Sequence, residues 1–351
     1  MLSEIEIRAS AGAYVVRFAE LQPNDHVREG HLLVADSFFK SDSRFDAQDT
    51  VWIEAIETNK SLTTVERVIC EFRDRGLSRS GHVLAIGGGI VQDVVTLAAS
   101  LYMRGVTWAY APSTLLGMVD SCIGGKSSIN TPTTKNLIGN IYPPQEVLID
   151  ARFADSLSSR ELHSGLAEAL KIAFCGGEAS FYEMIELLDS SKANNLSQII
   201  HLSLTTKKWF IETDEFDKAE RLQLNFGHTF GHAIEVATDY KVPHGLAVAI
   251  GMACASRFVA TQGDVPSHIR NLEDTSLRLA KRGLEEETNI NFRRERFVSA
   301  FRSDKKHPPG SFRLVLPGSR PGVNLVVLEK SSSLEEELSD CASTIMNEVL
   351  K

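Results

Sequence analysis

Val83-Leu84-Ala85-Ile86-Gly87-Gly88-Gly89-Ile90-Val91-Gln92-Asp93 is the stretch on which the fold turns. Its opening apolar run suits a strand covered on both faces, as in a parallel sheet. Three glycines end that run, and a helix between 90 and 103 fits the gap before the next apolar run. Two readings of the loop stand side by side. Glycines let backbone N–H groups approach a pyrophosphate, and the helix N-terminus behind them favours an anion. Equally, they make a tight strand–helix turn with no ligand. The spacing is not the GxGxxG of the usual dinucleotide fingerprint.

Working outward, strands are expected at His31–Asp36, Val106–Tyr110 and Val147–Ile149, with a hairpin from Ile5–Ile7 to Tyr14–Phe18 ahead of them. Val65, Val68, Ile69 and Phe72 recur at helical spacing within 61–76. Strand–helix alternation over residues 1–150 predicts an α/β unit with a Rossmann-like, doubly wound parallel sheet. Residues 151–351 read as mainly helical. Ser158-Ser159-Arg160-Glu161 has the form of a capping box, and Gly176-Gly177 closes the helix that it opens. Helices are expected over 226–238 and 244–261, and short strands at Phe312–Leu316 and Leu325–Leu328. Ser332 or Ser333 caps a last helix whose Glu335–Glu337 run reads as a solvated face.

At roughly 100–200 residues per domain, 351 residues fit two domains. The formal charge of −9 disfavours binding to a phosphate backbone, while leaving room for a local basic pocket. Cys70, Cys122, Cys175, Cys254 and Cys341 are scattered and odd in number, which fits a cytosolic thiol-bearing protein better than a disulfide framework. No apolar tract is long enough to cross a membrane, and a cytoplasmic location is expected.

Three histidines cluster in Asn225-Phe226-Gly227-His228-Thr229-Phe230-Gly231-His232 and His244-Gly245. Four residues apart, His228 and His232 share a helix face, and imidazole suits Zn²⁺. Two surface histidines plus a helix cap is the plainer reading. Glu168 and Lys171 share a face of the 159–175 helix, opposite Leu162, Leu166 and Leu170. A Glu–Lys pair at this spacing is usually a surface ion pair; beside a histidine cluster, Glu168 completes a His₂Glu set with one position open. Lys126, Lys135 and the Asp304-Lys305-Lys306 run either line a pocket for an anion or are simply solvated.

In order and spacing, Gly87-Gly88-Gly89, Tyr102-Met103-Arg104-Gly105, Pro112-Ser113-Thr114, Val119-Asp120-Ser121, Gly124-Gly125-Lys126, Lys135-Asn136-Leu137-Ile138-Gly139, Ser164–Glu168, Asn225–Ala233 and Asp304-Lys305-Lys306 resemble the 3-dehydroquinate synthase family from about residue 30 to 317. The resemblance implies a cytoplasmic homodimeric lyase with an NAD-binding first domain and a metal-binding second. It implies NAD as a catalytic cofactor and one Zn²⁺, or Co²⁺ in its place. Its substrate is 3-deoxy-D-arabino-heptulosonate 7-phosphate, cyclised to 3-dehydroquinate with loss of phosphate. By the match, Glu168, His228 and His244 are the metal ligands. Lys126, Asn136, His232 and a lysine of Lys305-Lys306 contact the phosphate, with Lys135 beside them. Asp120, Lys171 and Asn225 bind hydroxyls, and Lys207 and Arg221 grip the carboxylate. Arg104 reaches a neighbouring subunit's site. Asp36, Glu57, Lys60, Gly87, Gly88, Gly89, Asp93, Ser113 and Thr114 fall around the NAD.

The wider sugar-phosphate cyclase group also makes 2-deoxy-scyllo-inosose, valiolones and amino-dehydroquinate, and metal-dependent polyol dehydrogenases share its architecture. Retention of Arg221, Asn225 and Lys207 favours a carboxylated substrate. The chain also departs from the family pattern. Gln92 replaces a usual glycine and either crowds the loop or adds a hydrogen bond. Ser113 replaces threonine and Cys122 serine. Phe216–Glu220 lacks a usual glycine, and the first thirty residues are atypical.

Overall fold

The computed structural model describes residues 2–10, 12–26, 29–45, 50–190 and 195–351, and it divides into two compact units, Met1–Ser156 and Leu157–Lys351.

In the first unit the strands are β1 (Ile5–Ala9), β2 (Gly12–Phe18), β3 (His31–Asp36), β4 (Thr50–Ile53), β5 (His82–Gly87), β6 (Thr107–Pro112) and β7 (Glu146–Ile149). Helices α1 (Leu62–Asp74) and α2 (Gly89–Leu101) flank β5 in sequence. The sheet order is β1-β2-β7-β6-β5-β3-β4. All neighbours are parallel except the β1–β2 hairpin at one edge. In β5 and β6 only the first residue is not buried, which is why these strands read as unbroken apolar runs rather than as alternation. The hairpin is tied to the unit by Tyr14, whose buried hydroxyl accepts the Gly124 N–H at 2.9 Å. β4, with four residues, was not expected from the sequence.

The second unit carries α3 (Ser159–Cys175), α4 (Glu178–Asp189), α5 (Asn195–Thr213), α6 (His228–Ala237), α7 (His244–Ala260), α8 (Ser267–Leu284), α9 (Arg294–Arg302), the antiparallel pair β8 (Ser311–Pro317) and β9 (Val323–Glu329), and α10 (Ser332–Val349). The capping box at Ser158 and Glu161 forms, and Gly176 caps α3. α7 is buried from Gly245 through Ser256. Its small residues let α3 and α6 approach closely. A Cβ at Gly245 would lie 2.1 Å from the Ser164 carbonyl oxygen, and one at Gly251 2.0 Å from that of Gly227. Both neighbours are backbone and cannot step aside, so these two glycines set the spacing of the three helices.

Three local expectations are corrected. The last helix is capped by Ser331, whose side chain accepts the Leu334 N–H; Ser332 is already helical. The acidic run is not a uniformly solvated face: Glu335 pairs with Arg302, and Glu337 accepts from Thr261 and Gln262. Glu168 and Lys171 are not a surface pair. They are 1% and 2% exposed, whereas Leu166 is half-buried. Among the described residues, no helix is long and apolar enough to cross a membrane.

Candidate active-site residues in the two units

In the first unit, the glycine loop joins β5 to α2 with Gly88 as N-cap. A Cβ on Gly88 would meet the Thr114 methyl at 3.0 Å. Around the loop the structure gathers several expected residues into one network. Lys60 Nζ lies 2.7 Å from Asp93 Oδ2 and donates to Asn136 Oδ1 at 2.8 Å. Asp93 Oδ1 accepts the Ser128 N–H. Asn130 donates to Glu57 and accepts the Asn136 N–H, with Asn136 in the left-handed region at φ +55°. Burial pushes the Asp93 carboxyl up to about 6, against the pull of Lys60. Asp36 caps a 3₁₀ turn by accepting the Phe38 N–H, and burial raises its carboxyl too. Ser113 is buried, its N–H donating to the Gly87 carbonyl. Asp120 lies in a π-helical turn, Gly117–Ser121. Arg104, Lys126 and Lys135 are exposed.

In the second unit, α3, α6 and α7 converge. Ring nitrogens of His228, His232 and His244 all lie within 4.8 Å of one another. Nε2 of His228 and of His244 are 3.9 and 3.6 Å from Oε1 of Glu168. The tautomers follow from the partners of the other nitrogens. His228 Nδ1 faces the Phe226 carbonyl at 3.1 Å and His244 Nδ1 faces Glu235 Oε2 at 3.4 Å. Both partners only accept, so each Nδ1 carries a proton, and in the neutral ring each Nε2 presents a lone pair. Burial holds His228 well below the usual imidazole range, helped by the nearby Lys171 charge. For His244, burial is outweighed by the carboxylates of Glu235 and Glu168, which raise it.

Glu168 supplies the test of whether a divalent metal fits. Oε1 is buried and accepts no hydrogen bond among the described residues, although Lys171 pairs with the other oxygen. A buried carboxylate oxygen facing two imidazole lone pairs is a repulsive arrangement unless a cation lies between them. The donor set, one carboxylate and two imidazoles, is a catalytic zinc set. His232 faces a different environment. Burial, then the Lys306 and His244 charges, push it down to about 4. Among the described residues the Lys306 ammonium is buried with no hydrogen-bond partner, and burial lowers its pKa against the pull of Asp304 and Asp217. Lys305 is exposed.

Lys207 and Arg221 are both buried. Arg221 Nη1 donates to the Glu215 carbonyl at 2.7 Å. The loop without the usual glycine is organised by Asp214, which accepts the N–H groups of Lys218, Ala219 and Arg221. Asn225 donates to the Leu222 carbonyl.

This is the architecture of the sugar-phosphate cyclases. A 2-epi-5-epi-valiolone synthase from Streptomyces hygroscopicus subsp. jinggangensis, solved with NAD⁺ and Zn²⁺ bound, superposes with a TM-score of 0.78 at 25% identity, covering 95% of this chain and 97% of that one. A 2-deoxy-scyllo-inosose synthase complexed with carbaglucose-6-phosphate, NAD⁺ and Co²⁺ gives 0.81 at 20% identity, covering 97% and 99%. Residues 50–164 match the 3-dehydroquinate synthase N-terminal model and 165–307 the C-terminal one. The 3-dehydroquinate synthase of Dictyoglomus thermophilum is 38% identical over 294 residues, 82% of this chain and 81% of the relative. The chain belongs to the 3-dehydroquinate synthase family.

Two residues of this region escaped sequence reasoning. Glu235 stands three positions after His232 on the same face of α6, so helical spacing pointed to it. Asp214 gave no such signal, because its role is a pattern of backbone contacts.

Proposed function

We propose that this chain converts 3-deoxy-D-arabino-heptulosonate 7-phosphate to 3-dehydroquinate and phosphate, as a phosphate-eliminating lyase dependent on NAD and one divalent metal. The observation that carries this reading is the buried Glu168 Oε1, without a hydrogen bond among the described residues and facing Nε2 of His228 and His244.

Glu168, His228 and His244 would hold Zn²⁺ or Co²⁺. The glycine loop Gly87–Gly89 and the start of α2 would hold the NAD pyrophosphate, with Asp36, Glu57, Lys60, Asp93, Ser113 and Thr114 around the cofactor. The metal held by these residues would supply Lewis acidity toward a substrate hydroxyl, and NAD would supply a reversible hydride acceptor. Everything else falls to side chains. His232, which burial and the Lys306 charge push down to about 4, can in its neutral form donate one N–H to a phosphate oxygen. Lys306 supplies the positive charge, its buried ammonium making no hydrogen bond among the described residues. Lys126, Lys135, Lys305 and Asn136 add to phosphate recognition. Asp120, Asn225 and Lys171 orient hydroxyls, and Lys171 also pairs with Oε2 of Glu168, leaving Oε1 to face the histidines. Lys207 and Arg221, two buried cations, support a carboxylated substrate over the carboxylate-free sugars of other cyclases. A homodimer, with Arg104 reaching the neighbouring subunit, and a cytoplasmic setting belong to the same reading. So does the division of labour between an NAD-binding unit and a metal-binding unit.

The test is phosphate release from the heptulosonate phosphate with NAD⁺ and Zn²⁺, followed together with absorbance at 340 nm. Stoichiometric phosphate and 3-dehydroquinate without lasting NADH, abolished by EDTA, is the expected result. Lasting NADH from a simple polyol would instead mark a dehydrogenase.

A further inference from the structure

We propose that Gln92 is a positioning residue for Asp120, locking the π-helical turn that presents it. The proposal rests on the reading of Asp120 as a substrate contact.

Gln92 lies in the first turn of α2 and is 3% exposed. Its amide spends both ends on one residue. Nε2 donates to the Ser121 carbonyl at 2.6 Å, and Oε1 accepts from the Ser121 hydroxyl at 2.6 Å. The pairing fixes the amide's orientation, since a flipped amide would set oxygen against the carbonyl. Ser121 ends the π-helical turn Gly117–Ser121, closed by Cys122 N–H to the Gly117 carbonyl at 3.0 Å, and Asp120 immediately precedes it.

A π turn holds one residue more than an α turn and is the rarer arrangement. Relapse into α register would advance the following residues by one position, roughly 100° about the helix axis. Asp120 would then face elsewhere. The two bonds from Gln92 hold the end of the turn and oppose that relapse. The adjacent Asp93 performs a parallel task, accepting the Ser128 N–H two residues beyond Lys126. Successive residues of one helical turn therefore tether two segments expected to touch substrate. With glycine at 92, the usual family residue, no side chain could span the gap. Of the two readings of Gln92 left open by the sequence, crowding or a hydrogen bond, the second holds.

Gln92→Gly and Ser121→Ala, singly and together, test this in the full-length protein. Two measurements are made: steady-state kinetics with the heptulosonate phosphate, and amide hydrogen exchange without substrate. In Gln92→Gly, exchange across 118–122 is expected to accelerate while that of β5 is unchanged. KM for the sugar phosphate should rise about tenfold, the scale of one or two lost hydrogen bonds, with KM for NAD⁺ unchanged. Ser121→Ala should show a smaller effect and add nothing in the Gln92→Gly background. Unchanged exchange in 118–122, or effects of the two substitutions that simply add, would overturn the proposal. If the parent protein releases no phosphate, the assigned reaction falls, and the exchange result alone decides the clasp.

Discussion

Glu235 accepts the Nδ1 proton of His244 at 3.4 Å, and so turns Nε2 of that ring toward Glu168. A carboxylate behind a ligating imidazole fixes its tautomer and strengthens it as a donor. Glu235→Gln is expected to weaken Zn²⁺ binding about 10- to 100-fold, measured by competition with a chromophoric chelator. Binding as tight as in the parent would remove Glu235 from the metal centre.

Lys306 keeps a buried ammonium without a hydrogen-bond partner among the described residues, an arrangement that destabilises the ligand-free protein. Lys306→Met should raise the thermal midpoint of the ligand-free protein and, in the same variant, raise KM for the sugar phosphate about 100-fold. A lowered midpoint would show that Lys306 is structural.

Glu168 and Lys171 form a buried ion pair between α3 residues three apart. Deleting one partner of such a pair costs about 3–5 kcal/mol, because the other charge stays buried. Glu168→Ala should therefore lose metal binding and unfold at a lower temperature. Glu168→Ala with Lys171→Met should recover most of the thermal loss and none of the metal binding, read by calorimetry and metal titration.

Asp93 gives a pH signature in the first unit. Its carboxyl is raised from the ordinary 3.8 to about 6 by burial, so the folded protein takes up this proton more readily than the unfolded chain. The resulting stability is present at low pH and is lost as pH rises through about 6. Asp93→Asn should accordingly gain stability relative to the parent between pH 4 and 7, by about 2–3 kcal/mol at most. Denaturant unfolding across that range checks it; a difference independent of pH would refute the burial account.

What could be read in advance follows from range along the chain. β3 and β5 emerged at nearly their observed limits because parallel strands covered on both faces leave unbroken apolar runs. The capping box at Ser158 was legible because its partners are three residues apart. α8 carries Ile269, Leu272, Leu279 and Ala280 on its buried face, a periodicity present in the sequence but masked by its many charges. The burial of the Glu168–Lys171 pair is not legible in the sequence, because spacing alone cannot say whether a helix face meets solvent or packed helices. The fate of Gln92 stayed open because its partner lies 29 residues away, and only the fold brings them together.

The N-terminal hairpin, which lies outside the stretch matched to the family, reaches the Gly124-Gly125-Lys126 segment through the Tyr14 hydroxyl. Within the hairpin Ile5, Ile7, Tyr14 and Val16 are buried, and Tyr14 alone of these also holds the glycine–lysine segment by a hydrogen bond. A chimera that borrows another chain's first thirty residues keeps this anchor only if a tyrosine stands in the place of Tyr14. Grafts at this end of the chain should therefore be judged by how well they hold the lysine loop, rather than by whether the hairpin itself folds.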